Sequence, residues 1–266
     1  MARVSLLRWV SRCILVLTGT IGSVEIAPAL DTAKLLSQYR VDVWHVRDGL
    51  PQESVRAIAE TTDGYLWLGT QAGLARFDGN HFRVFTSQNT PALQRADHIL
   101  ALRADRVGGL WIGTARGGLL YAKNGSFRAY SSADGLPAEQ IRSILTGRDD
   151  TLWIGTERGG LHHFDGRRFL RVPLGTAENE STVRCLLKNS DGSIWAGTDG
   201  GLKLLSHGAV RTYTRKDGLL SDSVWALARS PNGYLWIGKG FAGSAACREA
   251  PSRASMANGV CRIRPY

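Results

Sequence analysis

Arg56, Arg142, Arg184 and Trp225 each stand eleven residues before a further tryptophan, at Trp67, Trp153, Trp195 and Trp236 respectively. Leu100 holds the same place before Trp111. Three guanidiniums and an indole at one recurring position could grip an anionic or sugar-like ligand, through bidentate hydrogen bonds and stacking. These four residues are the candidate ligand-binding set. A competing assignment pairs each arginine with a nearby loop acid such as Glu53 or Glu139, and the sequence leaves both open. Catalytic constellations are not persuasive. His45, His81, His98, His162, His163 and His207 occupy unrelated positions along the chain. Adjacent His162 and His163 in a strand would point to opposite faces and could not hold one metal together. Neither a nucleophile elbow, a phosphate loop nor a zinc signature is present. The reading is therefore a non-enzyme, with no metal and no cofactor.

The tryptophans that follow those positions fix the scaffold. They lie in nearly one phrase: Leu66-Trp67-Leu68-Gly69-Thr70, Leu110-Trp111-Ile112-Gly113-Thr114, Leu152-Trp153-Ile154-Gly155-Thr156, Ile194-Trp195-Ala196-Gly197-Thr198 and Leu235-Trp236-Ile237-Gly238-Lys239. Successive tryptophans are 44, 42, 42 and 41 residues apart. That period marks a repeat architecture, and the four-stranded propeller blade suits the composition best. In the first copy, Ser54 to Glu60, Tyr65 to Gly69, Leu74 to Phe77 and His81 to Phe85 read as four short strands. Asp63-Gly64 and Asp78-Gly79 are the tight turns between them. Gly-Leu opens the third strand again at Gly118-Leu119, Gly160-Leu161 and Gly201-Leu202, and Tyr130 and Tyr213 close fourth strands. The fold class is all-β, a propeller of about five four-stranded antiparallel blades. Trp67, Trp111, Trp153, Trp195 and Trp236 are assigned to the core between blades, since a blade buries both faces.

Antiparallel order sends the fourth-to-first and second-to-third connections to one end of the blades and the Asp-Gly turns to the other. The first end carries the longer, more variable loops, where binding residues usually reside. The arginine–tryptophan column falls there, at the start of each innermost strand.

The formal net charge of the 266-residue chain is +10. Arg3, Arg8 and Arg12 precede an apolar run from Cys13 to Val24, and a second basic group lies in the segment from Lys239 onward. Between them the basic residues are scattered, with no patch of the kind nucleic-acid binders use, so nucleic acid is not an expected partner. The N-terminal pattern, with Ala27-Pro28-Ala29 after it, reads as a cleaved secretory signal over residues 1–29. An uncleaved anchor is the alternative and the sole expected membrane contact. A periplasmic or secreted location follows. Cys185 falls in a strand as a small buried hydrophobe, and Cys247 and Cys261 show no metal-ligand spacing.

The phrase Asp-Gly-x-Leu-Trp-Ile-Gly-Thr, then Gly-Gly-Leu, then Phe-Asp-Gly, resembles the two-component regulator propeller repeat. So do the linkers Asp48-Gly49-Leu50-Pro51 and Asp134-Gly135-Leu136-Pro137, with Asp217-Gly218-Leu219 as a shorter copy. The resemblance covers about residues 40–238. It implies seven-bladed propellers that form the periplasmic sensor of bacterial receptors, some of them sensing carbohydrate fragments. In that family a β-sandwich, a membrane helix and a histidine kinase or diguanylate cyclase output domain normally follow. Against that pattern the chain reads as an incomplete seven-bladed propeller over residues 30–238. The segment 239–266 reads as a non-repeat tail, disordered or frameshifted, lacking the third strand of its blade. Tyr39 to Arg47 reads as a fourth strand that could clasp a ring. The implied function is ligand sensing without an output domain, for a carbohydrate or other small anionic ligand. The alternative is a secreted scaffold for protein partners or self-association.

Overall fold

The Leu-Trp-Ile-Gly-Thr phrase alternates side chains about a strand, and the turns on either side fold it into a meander. The computed structural model describes residues 41–94, 96–136, 140–147, 151–175, 181–230 and 233–239, and the backbone of 244–247. Blade 1 is β1 (Val55–Glu60), β2 (Leu66–Thr70), β3 (Leu74–Phe77) and β4 (Phe82–Phe85). Blade 2 is β5 (Ile99–Ala104), β6 (Leu110–Thr114), β7 (Leu119–Lys123) and β8 (Ser126–Tyr130). Blade 3 is β9 (Ile141–Thr146), β10 (Leu152–Thr156), β11 (Leu161–Phe164) and β12 (Phe169–Val172). Blade 4 is β13 (Val183–Lys188), β14 (Ile194–Thr198), β15 (Gly201–Ser206) and β16 (Ala209–Tyr213). Blade 5 is β17 (Val224–Arg229), β18 (Leu235–Lys239) and β19 (Ser244–Cys247). Strands pair antiparallel in sequence order within each blade. Asn124-Gly125 and His207-Gly208 each place two consecutive residues at positive φ, the primed turn whose twist matches a hairpin.

Blades stack through their first two strands. β1 lies against β5, β5 against β9, β9 against β13 and β13 against β17, and each second strand also meets the next blade's first strand. This is propeller packing, as the repeat implied. One position controls it. A Cβ on Gly69, Gly113, Gly155 or Gly197 would stand 2.6–2.7 Å from a side-chain carbon of Ile99, Ile141, Val183 or Val224 on the following blade. Glycine lets a β-branched residue of the next blade press onto the sheet. Gly238 meets only Ala226 of its own blade.

The tryptophan on the same strand faces forward into each seam. Trp67 stacks on Phe85 at 5.6 Å, Trp111 lies 5.5 Å from Tyr130, and Trp195 lies 5.6 Å from Tyr213. Trp195 is wholly buried and Trp67 nearly so, while Trp111 and Trp153 are half-buried against neighbouring clusters. Trp236 departs from the core assignment. It is 46% exposed, because among the described residues no blade covers that face of β18. At the other end of the stack Ile58 is 61% exposed on blade 1, and β17 does not pack on β1 as consecutive first strands do.

The threonine that ends the phrase is a loop hub. Thr70, Thr114, Thr156 and Thr198 are wholly buried and donate to the carbonyls of Gly73, Gly118, Gly160 and Gly201 at 2.8–3.0 Å. Three of them also accept a loop N–H, from Ala72, Gly117 and Gly200. The Asp-Gly-Leu linkers form a second recurring device. Asp48, Asp134 and Asp217 accept the N–H of the residue three before them at 2.8–2.9 Å, closing a one-turn 3-10 helix. Gly49, Gly135 and Gly218 then take φ of +106°, +84° and +100°, and Leu50, Leu136 and Leu219 drop into the core.

Two boundary expectations change. Val41 to His45 form no strand and Val46–Asp48 is a 3-10 turn, so the described part of the proposed clasp is a linker of the Asp-Gly-Leu type. Trp44 packs edge-on to Phe77 at 5.0 Å, which holds that linker on blade 1. Beyond Lys239 the backbone of Ser244–Cys247 pairs with β18, so a segment placed outside the repeats supplies a third strand. The leader assigned to residues 1–29 and the rest of the tail lie outside the described residues. No described helix is long and apolar enough to cross a membrane.

His162 occupies a register where blade 2 has Leu120: it pairs with Ile154 as Leu120 pairs with Ile112. It is 3% exposed, and its Nδ1 has no hydrogen-bond partner. Burial, reinforced by nearby Arg171, lowers its pKa to about 4. The folded value lies below the unfolded one, so stability is complete above about pH 6.5 and falls as pH drops toward 4, by on the order of 3 kcal/mol. His162→Leu is expected to remove that acid slope in urea titrations run from pH 7 to pH 4.5. The seam glycines give a paired expectation. Gly113→Ala should cost about 1–3 kcal/mol through overpacking against Ile141. Gly238→Ala, which among the described residues would meet only Ala226 of its own blade, should cost less than about 1 kcal/mol in the same denaturation assay.

Candidate ligand-binding site at the bulge column

The first and second strands of every blade share one irregularity. Val55 pairs with Thr70 and Ala57 with Gly69, which leaves Arg56 as an extra residue in a β-bulge. The same shift leaves out Leu100, Arg142, Arg184 and Trp225 in blades 2 to 5. A bulge breaks strict alternation and re-aims one side chain. The position eleven before each tryptophan is therefore the one residue per blade freed from the ladder, at the loop end of the innermost strand.

The structure brings each arginine to a partner on its own blade, four residues after the seam tryptophan. Arg142 donates Nη2 to Glu157 Oε2 at 2.7 Å and Nε to the same oxygen at 3.2 Å. Arg184 grips both oxygens of Asp199, Nε at 2.5 Å and Nη2 at 2.8 Å. Arg56 meets the neutral amide of Gln71, whose oxygen, turned toward it, lies 2.6 Å from Nη2. Blade 2 carries Leu100 and Ala115 at these two positions, neither charged. Local pairing is thus the rule, but not with the acids first named. Glu53 bonds His45 Nδ1 at 3.2 Å instead, and Glu139 lies outside the described residues. Aligning the five phrases would have found the true partners, since Gln71, Ala115, Glu157 and Asp199 change in step with the column.

Blades 4 and 5 join at the column. The Arg184 guanidinium lies 4.1 Å over the Trp225 ring, whose Nε1 donates to Ser223 Oγ at 2.9 Å. Ser223 Oγ donates in turn to Asp199 Oδ1 at 2.8 Å. Burial alone would raise the Asp199 carboxyl, but hydrogen bonds from Arg184 and Ser223 and the arginine charge outweigh it and hold the pKa below the usual range. The Arg184 side chain is only 16% exposed, whereas Trp225 is 44% exposed. One face of Trp225 is thus backed by a fixed cation. Arg184 itself is committed to Asp199. Among the described residues no group of histidine, cysteine or carboxylate side chains is arranged to hold a metal. Burial pushes the Cys185 thiol up to about 12, leaving it protonated beside the Val224 carbonyl.

Four segments, residues 49–72, 135–158, 177–200 and 218–238, match the two-component regulator propeller. The chain carries that repeat in blades 1, 3, 4 and 5. No match was found among curated protein sequences. Among solved structures, the chain is similar to the extracellular domain of a hybrid two-component system from B. thetaiotaomicron, at 23% identity and a TM-score of 0.66. That likeness covers 78% of this chain and 30% of that one. A one-component-system extracellular domain from B. thetaiotaomicron matches at 20% identity and a TM-score of 0.60, over 74% of this chain and 27% of that one. Virginiamycin B lyase from Staphylococcus aureus matches at 13% identity and a TM-score of 0.56, over 69% and 62% of the two chains. These likenesses establish the propeller fold. The chain spans less than a third of the two B. thetaiotaomicron domains.

The two ion pairs should differ in strength. Arg184–Asp199 is bidentate and Arg142–Glu157 uses one oxygen, with both partners of each pair below 30% exposed. Double-mutant cycles to alanine are expected to give about 1–3 kcal/mol for the first and about 0.5–1 kcal/mol for the second, after allowance for screening. Asp199 has a lowered folded pKa. The first coupling should therefore hold at pH 5 and be lost only as pH falls through and below the ordinary carboxylate range.

Proposed function

We propose that this chain of two-component regulator propeller repeats is an extracytoplasmic ligand-sensing propeller, similar to the sensor region of a two-component receptor. The observation that carries the reading is the repeat itself, in four blades, on a chain that resembles two extracellular receptor domains. The ligand would be taken at the loop end of the blades, where a β-bulge in each first strand turns one residue out of the ladder. Trp225 and Arg184 supply a sugar-stacking face and its support. A carbohydrate is the ligand class that uses such a surface. A periplasmic or secreted location suits both the N-terminal sequence pattern and the extracellular relatives.

Sensing is favoured over catalysis because the described histidines have no common site. His162 is buried in a seam, His81 is exposed beside Asp78, and His45 bonds Glu53.

Thermal-shift measurements of the full chain against a panel of oligosaccharides test the proposal. At least one sugar class should raise the melting temperature by a few degrees, and Trp225→Ala should abolish that shift while leaving the unliganded melt within about 2 °C. A panel that produces no shift would overturn small-molecule sensing in favour of a protein-binding scaffold.

A further inference from the structure

We propose that the two end faces of the blade stack are the two halves of one interface, which a second copy of this chain closes head to tail. Blade 5 of one copy then stands against blade 1 of the next. The surface lies apart from the loop end, and the inference does not rest on the sensing reading.

The four seams within the chain define what such an interface needs. The earlier blade offers a forward face, made by the tryptophan and the glycine of the phrase. The later blade offers a backward face, made by the β-branched residue before the bulge and by the first and third residues of the phrase. Between blades 4 and 5, Trp195 clusters with Val224, Leu235 and Ile237, and Leu227 packs beside them. A Cβ on Gly197 would stand 2.7 Å from the Val224 side chain.

Each half recurs once more, at an end of the stack. On blade 5, Ala226, Ala228 and Trp236 are exposed among the described residues, and Gly238 meets only Ala226 of its own blade. These are the elements of a forward face. On blade 1, Val55, Ile58, Leu66 and Leu68 hold the registers of Val224, Leu227, Leu235 and Ile237. These are the elements of a backward face, and they lack cover. The first and third residues of the phrase are buried in blades 2 to 5 but only half-buried in blade 1. Ile58 is exposed where its counterpart Leu227 is half-buried.

The shape of the forward face specifies its occupant: a β-branched side chain for Gly238 and an apolar bed for Trp236. Blade 1 of this chain carries both, so an added seam continues an interface the fold already uses four times. The contact is heterologous, because each copy uses a different face and each pair leaves one half open at either end. A blade face of three or four strands, each about five residues long, spans roughly 15–20 Å each way. Two such faces bury on the order of 1,000 Å2 in total, the size of weak and reversible contacts.

Sedimentation velocity of the full chain across about 5–500 µM tests the proposal. The weight-average mass should rise with concentration beyond that of one chain. Gly238→Val and Ile58→Asp should each weaken association at least about tenfold. Gly238 does not take a positive φ and Ile58 is exposed, so both variants should melt within about 3 °C of the parent chain. Trp236→Glu, on an exposed side chain of the same face as Gly238, serves as a second blade 5 variant if Gly238→Val folds poorly. An equimolar mixture of Gly238→Val and Ile58→Asp separates head-to-tail contact from any other. The first variant keeps an intact blade 1 face and the second an intact blade 5 face, so the mixture should form a dimer and stop there. Constant monomer mass for the parent chain at every concentration would overturn the proposal, as would association indifferent to both variants. A mixture that stays monomeric would overturn it too, because the two faces would then not be partners.

Discussion

The contact on which the fold depends is the one between a second-strand glycine and a β-branched residue of the next blade. Two sheets can approach closely only where one presents no Cβ, and four successive seams use that solution, at Gly69, Gly113, Gly155 and Gly197. The neighbouring residues of the phrase follow from it. Once Ile99, Ile141, Val183 or Val224 sits on the glycine, the tryptophan two residues earlier is carried into the same seam, toward the residue that closes the fourth strand, an aromatic in blades 1, 2 and 4 and Val172 in blade 3. The threonine one residue later becomes wholly buried, so its hydroxyl must be satisfied by the loop that it then shapes. A phrase of five residues thus encodes the strand, the seam and the loop beyond it.

The scaffold and the candidate site meet in one dipeptide. Each seam residue directly precedes a bulge residue: Ile99 before Leu100, Ile141 before Arg142, Val183 before Arg184, Val224 before Trp225. The first member locks the blade in place and the second is released from the ladder to face the loop end. Positioning comes from a closely packed point of each seam, as a preorganised site requires. It also explains how the column tolerates arginine, leucine and tryptophan alike. The bulge fixes direction through the backbone, so the side chain is free to vary.

Much of this was legible in the sequence because the signals were local and repeated. Period, Asp-Gly turns and alternation gave the blades, and the offset of eleven singled out the column before any geometry was known. What escaped notice was of two kinds. Pairings across a blade, such as Arg184 with Asp199, depend on which loop residue the bulged strand faces, and proximity in the chain wrongly suggested Glu53. The state of an end blade depends on its neighbour, so Trp236, at the same place in the phrase as Trp195, is exposed where Trp195 is buried. A strand at Ser244–Cys247 likewise carries none of the Gly-Leu signal, since the ladder with β18 uses backbone groups alone.

On the sensing reading, the same dipeptides supply a physical route from ligand to conformation. A ligand changes an equilibrium only by contacting two states differently. The bulge residues belong to different blades, with Arg184 and Trp225 either side of one seam. On that reading occupancy would draw blade edges together at the loop end, where Arg184 and Trp225 each follow directly on a β-branched residue, Val183 or Val224, seated on a seam glycine. Such contacts are too tight to deform gradually, because a missing Cβ leaves no slack between backbone and side chain. The relative tilt of consecutive blades would then be the coordinate on which binding acts, with the loop end as the place that receives it.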